Sequence, residues 1–119
     1  MRIGGATFDS PLLLAPLAGV SDSPFRRLAR EQGASLVYTE MVSADGLVRG
    51  NRATLDYCAF EPCERPIGIQ LFGSDPGVMA DATRLLCDLP AEQRPDLVDI
   101  NMGCPVRKVV NRRAGAAAR

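Results

Sequence analysis

The run Asp99-Ile100-Asn101-Met102-Gly103-Cys104-Pro105 carries the residues best suited to chemistry. A thiol is a useful proton donor near neutrality, because its reference pKa of about 8.5 lies within reach of tuning by neighbours. Gly103 permits a sharp turn and Pro105 fixes the backbone after it, so the sulfur of Cys104 can be presented toward a pocket. The same triplet also reads as a plain turn with an idle cysteine. Asn101 and Gln70 each donate and accept hydrogen bonds, which suits the edge of a flat heterocycle. Each equally fits a satisfied polar group at a strand end. Pro16-Leu17-Ala18-Gly19 is small and apolar, so an aromatic ring can lie along its backbone, and it is also an ordinary strand-to-helix turn.

Several chemistries are excluded. The chain has no histidine, hence no Ser-His-Asp triad, and no Gly-x-Gly-x-x-Gly phosphate loop. Aromatic residues make up only 5%, without the stacking array of single-strand RNA readers. Cys58, Cys63, Cys87 and Cys104 are the four thiols; the first two lie five positions apart, a poor half of a zinc site with no other half on offer, so no metal is expected. Met1-Arg2-Ile3-Gly4-Gly5 lacks the apolar stretch of a secretory signal, so the reading is cytoplasmic, without disulfides, and Cys58, Cys63 and Cys87 read as small packing residues. No apolar run approaches the roughly 20 residues that cross a bilayer, so no membrane is expected.

Formal charge is zero, with 46% hydrophobic and 24% charged residues, as in an ordinary globular protein. The charge is unevenly placed. Arg107, Lys108, Arg112, Arg113 and Arg119 give the last segment +5, and the rest of the chain carries −5. Such an end suits phosphate, and equally a solvated helix surface.

Strand-like and helix-like segments alternate to place these residues. Leu12–Ala18 has the pattern of a strand buried on both faces, ending at Pro16. Ser23 reads as an N-cap with Pro24 behind it, followed by a helix that buries Phe25, Leu28 and Ala29 and stops at Gly33. Leu36–Thr39 is a second strand ending at Glu40; residues 41–65 are less regular, with room for one or two short helices. Ile67–Phe72 is a third strand. Asp75 caps a helix with Val78, Met79, Ala82, Leu85, Leu86 and Leu89 at helical spacing until Pro90, and Leu97–Asn101 is a fourth strand. Ala18, Glu40, Gln70 and Asn101 thus fall at strand ends, where parallel α/β proteins put their chemistry. A (β/α)8 barrel and a doubly wound sheet both predict that layout.

Ala15-Pro16-Leu17-Ala18-Gly19-Val20-Ser21-Asp22-Ser23-Pro24-Phe25-Arg26, Thr39-Glu40-Met41, Gln70-Leu71-Phe72-Gly73-Ser74-Asp75 and the run 99–105 together resemble the tRNA-dihydrouridine synthases, most closely the bacterial B-type branch. The resemblance implies an α/β fold, an FMN-bound TIM (β/α)8 barrel followed by a helical domain that helps hold tRNA. It implies that NADPH reduces the flavin, that the flavin passes a hydride to C6 of a uridine in tRNA, and that Cys104 protonates C5. Pro16, Leu17 and Ala18 then lie along the flavin, Gln70 hydrogen-bonds it, and Asn101 sits between flavin and base. Leu17 stands for the usual methionine and Ser21 for the usual threonine, both volume-tolerant changes. A barrel alone takes about 250 residues. The expectation is therefore an N-terminal half-barrel whose flavin-phosphate grip lies elsewhere, which alone neither retains FMN tightly nor turns over, and whose complete form is a monomer. Two other readings remain: a TIM-barrel flavin oxidoreductase of a small pyrimidine, and a non-catalytic RNA-binding remnant.

Overall fold

The computed structural model describes residues 1–117. Its centre is a parallel sheet built around the strand β5, Ile67–Phe72. Two short strands, β3 (Val37–Tyr38) and β4 (Val42–Ser43), pair with one edge of β5, at Val37↔Ile67 and Val42↔Leu71. They are one strand interrupted: three residues separate Tyr38 from Val42, opposite two between Gly68 and Leu71, so residues 39–41 bulge. The strand β6, Leu97–Ile100, pairs with the other edge, from Gly68↔Leu97 to Leu71↔Ile100. A parallel bridge, Leu13↔Leu36, adds the N-terminal segment beside β3. The parallel segments therefore stand in chain order, as helical crossovers between neighbours require.

A hairpin precedes this sheet, β1 (Arg2–Ile3) against β2 (Ala6–Thr7), with Gly4 and Gly5 at its turn. The helices are α1 (Ser23–Glu31), α2 (Ala44–Val48), α3 (Arg52–Asp56), α4 (Pro76–Cys87) and α5 (Arg107–Val110). Side chains alternate across β5. Ile69 and Leu71 face the helices, in a core with Val42, Ala44, Leu47, Cys58, Ala82 and Leu86. Gly68 and Gln70 face the opposite way, and a Cβ at Gly68 would strike the Tyr38 ring and Leu97 at 2.6 and 2.8 Å.

The third and fourth strands, the Asp75-capped helix and the two short helices between 41 and 65 match the sequence reading. Leu12–Ala18 departs from it. Its pairing is one bridge, at Leu13, with bonds from Leu14 N to Leu36 O and from Ser35 N to Leu12 O (2.9 Å each), and Leu12, Leu13 and Leu17 are exposed. Pro11 before the run and Pro16 within it donate nothing to a ladder, and β3 offers it a single edge. In α1 the N-cap is Asp22, whose Oδ1 accepts from Phe25 N at 3.0 Å, whereas Ser23 Oγ donates to Glu64. The apolar face expected inside is open, with Phe25 and Leu28 exposed, and the buried residue of that helix is Arg26. Of the three cysteines read as packing residues, Cys58 alone is buried, and Cys63 and Cys87 are exposed. The hairpin carries no periodic signal in the sequence, because its strands are two residues each.

Among the described residues no helix is long and apolar enough to cross a membrane. Nor does any group of three or more His, Cys, Asp or Glu among them form a metal-binding cluster. Arg119, part of the basic end, lies outside the described residues.

Candidate functional site

The carboxyl ends of the parallel segments bring three of the selected residues into one hydrogen-bonded chain. Gln70 and Asp99 are direct partners in the β5–β6 ladder, and Gln70 Nε2 donates to Asp99 Oδ2 at 2.6 Å. Two residues beyond Asp99, on the same face of the strand, Asn101 Nδ2 donates to Gln70 Oε1 at 2.8 Å. Asn101 Oδ1 then accepts from the backbone N–H groups of Gly103 (3.2 Å) and Cys104 (2.9 Å). The loop bearing Cys104 is thereby tied to the end of the neighbouring strand. A further tie comes from the carboxyl side, where Ala116 N donates to Cys104 O at 3.0 Å.

Gly115 makes that second contact possible. Its φ is +59°, and a Cβ there would lie 2.7 Å from Cys104 O, 3.0 Å from Cys104 Cβ and 2.9 Å from Val109 Cγ1. Only a residue without a side chain fits both the backbone and the space.

The Pro16–Gly19 loop is held from two sides. Leu17 N donates to Ser21 Oγ (2.9 Å), which donates back to Leu17 O (3.1 Å). Gly19, at φ +75°, donates its N–H to Glu40 Oε2 at 2.5 Å. Beneath lies a buried ion pair, Arg26 Nε to Glu64 Oε2 at 2.6 Å, the two side chains 5% and 0% exposed. Arg26 Nη1 also donates to Ser21 O (2.8 Å) and Nη2 to Ala59 O (3.1 Å). The buried guanidinium thus fixes the carbonyl that turns the loop, and its charge is answered by a carboxylate as burial demands.

Ala18 lines a cavity of about 300 Å³ with Glu40, Met41, Phe72, Lys108 and Arg112. Met41 joins the cavity to the hydrogen-bonded chain, since its Sδ lies 3.8 Å from Asn101 Nδ2. Mostly apolar walls with a few polar groups, at the ends of parallel strands, are the usual setting of a small-molecule site. Pro16 and Leu17 belong to the loop beside the cavity rather than to its lining, and the Leu17 side chain faces solvent. On the polar face of the sheet, burial and then the charge of Asp99 hold the Tyr38 phenol above its ordinary value of 10, so it stays a neutral hydroxyl beside the carboxylate.

The sequence selects Gln70, Asn101 and Cys104, and these three meet in space. Asp99 stands in the same run without an assigned role; its two-residue spacing from Asn101 is the available signal. Gly115, Met41 and the Arg26–Glu64 pair escape sequence reasoning as supports. No periodicity points to them, because an arginine on a helix reads as surface.

Comparison with known proteins is consistent across the chain. Residues 13–118 match the family model for dihydrouridine synthase (Dus). The chain is 43% identical to tRNA-dihydrouridine synthase B of Pseudomonas syringae pv. tomato and 40% identical to that of Pseudomonas aeruginosa, in each case over 98% of this chain and 34% of the relative. It is 44% identical to the probable tRNA-dihydrouridine synthase of Aquifex aeolicus, over 87% of this chain and 31% of that protein. The chain spans about a third of the length of the curated relatives it matches.

Proposed function

The chain belongs to the dihydrouridine synthase family, and from that premise we propose that it supplies the first strands and half of the active site of an FMN-dependent tRNA-dihydrouridine synthase, built as the N-terminal part of a (β/α)8 barrel. The observation that carries this reading is the hydrogen-bonded chain from Gln70 through Asn101 to the backbone of Cys104, beside the cavity at the strand ends.

The residues present fit a flavin. Gln70 Nε2 uses one N–H within the chain and keeps a second for a ring edge, and the second N–H of Asn101 Nδ2 meets only the weak acceptor Met41 Sδ, which a ring oxygen can displace. The Pro16-Leu17-Ala18 loop offers a flat, small surface whose Gly19 turn is fixed by Glu40. Bound FMN, reduced by NADPH, would supply the hydride that a uracil ring accepts at C6. The chain's own residues have three tasks. Gln70 and the Pro16–Ala18 loop hold the ring system; Asn101 orients the target base; Cys104 Sγ holds the proton that C5 receives from the face opposite the hydride.

Uridine within tRNA must leave its stack to reach such a site. Lys108 and Arg112 at the cavity wall, with exposed Arg107 and Arg113 nearby, favour an RNA backbone over a neutral metabolite. We place the complete protein in the cytoplasm, acting as a monomer on tRNA.

Cys104→Ala in the full-length protein that contains this chain tests the assignment. NADPH should reduce the flavin at the unchanged rate, and reoxidation by tRNA should fall by about 10²–10⁴-fold, the usual contribution of a positioned acid. Undiminished reoxidation by tRNA removes Cys104 from the mechanism. Reoxidation by a free pyrimidine but not by tRNA replaces this reading with that of a small-metabolite enzyme.

A further inference from the structure

The residue that begins the hydrogen-bonded chain is Asp99, and it has no task in the chemistry above. We infer that Asp99 is a positioning residue: its carboxylate fixes which way the Gln70 and Asn101 amides point, and through them holds the Cys104 loop in place.

A carboxylate only accepts, and the backbone N–H groups of Gly103 and Cys104 only donate. Between these two fixed ends stand two amides, each with one donating and one accepting end. One arrangement alone satisfies all contacts: Gln70 turns its NH2 to Asp99 (2.6 Å), which leaves Oε1 for Asn101. Asn101 then turns its NH2 to Gln70 (2.8 Å), which leaves Oδ1 for Cys104 N (2.9 Å) and Gly103 N (3.2 Å). Reversing either amide would set donor against donor at the loop, or acceptor against acceptor at Asp99. Gln70 is only 8% exposed, so water does little to compensate a wrong orientation. The bond at Asp99 is also charge-assisted, the strongest in the chain by type.

Placement on the strand makes the arrangement rigid. Gln70 and Asp99 are paired across the β5–β6 ladder, and Asn101 follows Asp99 by two positions on the same face. The backbone therefore sets the spacing, and Asp99 sets the direction. The purpose of this device rests on reading Cys104 as the proton donor, but its existence does not.

The test uses the isotopically labelled full-length protein that contains this chain, and amide hydrogen exchange read by NMR. Asp99→Asn keeps the shape, removes the acceptor-only end and replaces a charge-assisted bond by a neutral one. Exchange at Cys104 N–H and Gly103 N–H should quicken by about fivefold, the weight of one ordinary hydrogen bond. The Ile69 amide, in the core strand β5, should keep its rate. The double variant Q70E/D99N exchanges the two groups, placing the carboxylate on β5 and the amide on β6. That carboxylate then accepts both from the new amide opposite it and from Asn101, so the direction at Asn101 returns and protection of Cys104 should return with it. Unchanged exchange at 103 and 104 in Asp99→Asn overturns the inference, as does equal quickening at Ile69, which marks a merely structural role. Failure of the double variant to restore protection while Ile69 remains protected overturns it as well. Because exchange reads the bonds directly, it is independent of the Cys104→Ala kinetics that test the proton donor.

Discussion

Replacing Gly115 by alanine should release the loop that presents Cys104. The backbone there has φ +59°, which costs an L-residue about 1–2 kcal/mol. The new Cβ would stand 2.7 Å from Cys104 O and 2.9 Å from Val109 Cγ1, well inside the roughly 3.5–4.0 Å of ordinary contact. Overpacking of this kind costs about 1–3 kcal/mol more. Against this, the backbone of Cys104 itself is held by two hydrogen bonds, Ala116 N to Cys104 O (3.0 Å) and Cys104 N to Asn101 Oδ1 (2.9 Å). Each contributes about 1 kcal/mol net, so the conflict exceeds the restraint and the Cys104 backbone should move aside. Alkylation by iodoacetamide, followed at each cysteine by mass spectrometry, reads the outcome. Cys104 should react about tenfold faster, as local opening becomes easier by roughly 1–2 kcal/mol. Buried Cys58 should keep its rate, which separates loop release from unfolding. Gly115→Asn carries the same Cβ but tolerates the left-handed backbone better. It should accelerate Cys104 nearly as much if the contact dominates. Unchanged Cys104 reactivity in both variants would refute the close-approach argument.

Two further outcomes follow from buried groups. Arg26→Leu leaves the Glu64 carboxylate, fully buried, without its partner, and should destabilise the chain by about 3–5 kcal/mol, measured as a lowered urea midpoint with unchanged slope. A variant as stable as the parent would show the pair to be dispensable. Burial pushes the Cys58 thiol from about 9 up to about 11, so the folded state keeps a proton that the unfolded state has already lost between those values. The stabilisation this gives is complete below about pH 9 and disappears as pH rises toward about 11. Urea titrations of the parent and of Cys58→Ala should therefore diverge across that window, with the parent losing stability more steeply; parallel curves would contradict it.

Patterns that repeat along the chain are readable without a structure. The apolar spacing of Val78, Met79, Ala82 and Leu86, closed by Asp75 at one end and Pro90 at the other, defines α4 because both amphipathicity and capping are local. Ile67–Phe72 and Leu97–Ile100 are strands for a similar reason, and parallel pairing follows from the helix between them. Residues 15–26, Thr39-Glu40-Met41, Gln70–Asp75 and the run from Asp99 to Pro105 together identify the family and select Gln70, Asn101 and Cys104.

Long-range geometry decided the rest. Leu12–Ala18 has the pattern of a buried strand, yet whether it joins a ladder depends on what stands on either side, and among the described residues its one bridge is Leu13 to Leu36, just before β3. The inversion of α1, with Phe25 and Leu28 outside and Arg26 inside, depends on Glu64, which lies 38 positions away in sequence and in hydrogen-bond contact in space. The same holds for the site. Residue types at 70, 99, 101 and 104 state what each group can donate or accept. Only the β5–β6 register places Gln70 against Asp99, and only the close approach of Gly115 pins the far side of Cys104. Hydrogen-bonding capacity is a property of single residues, whereas direction and distance belong to the fold.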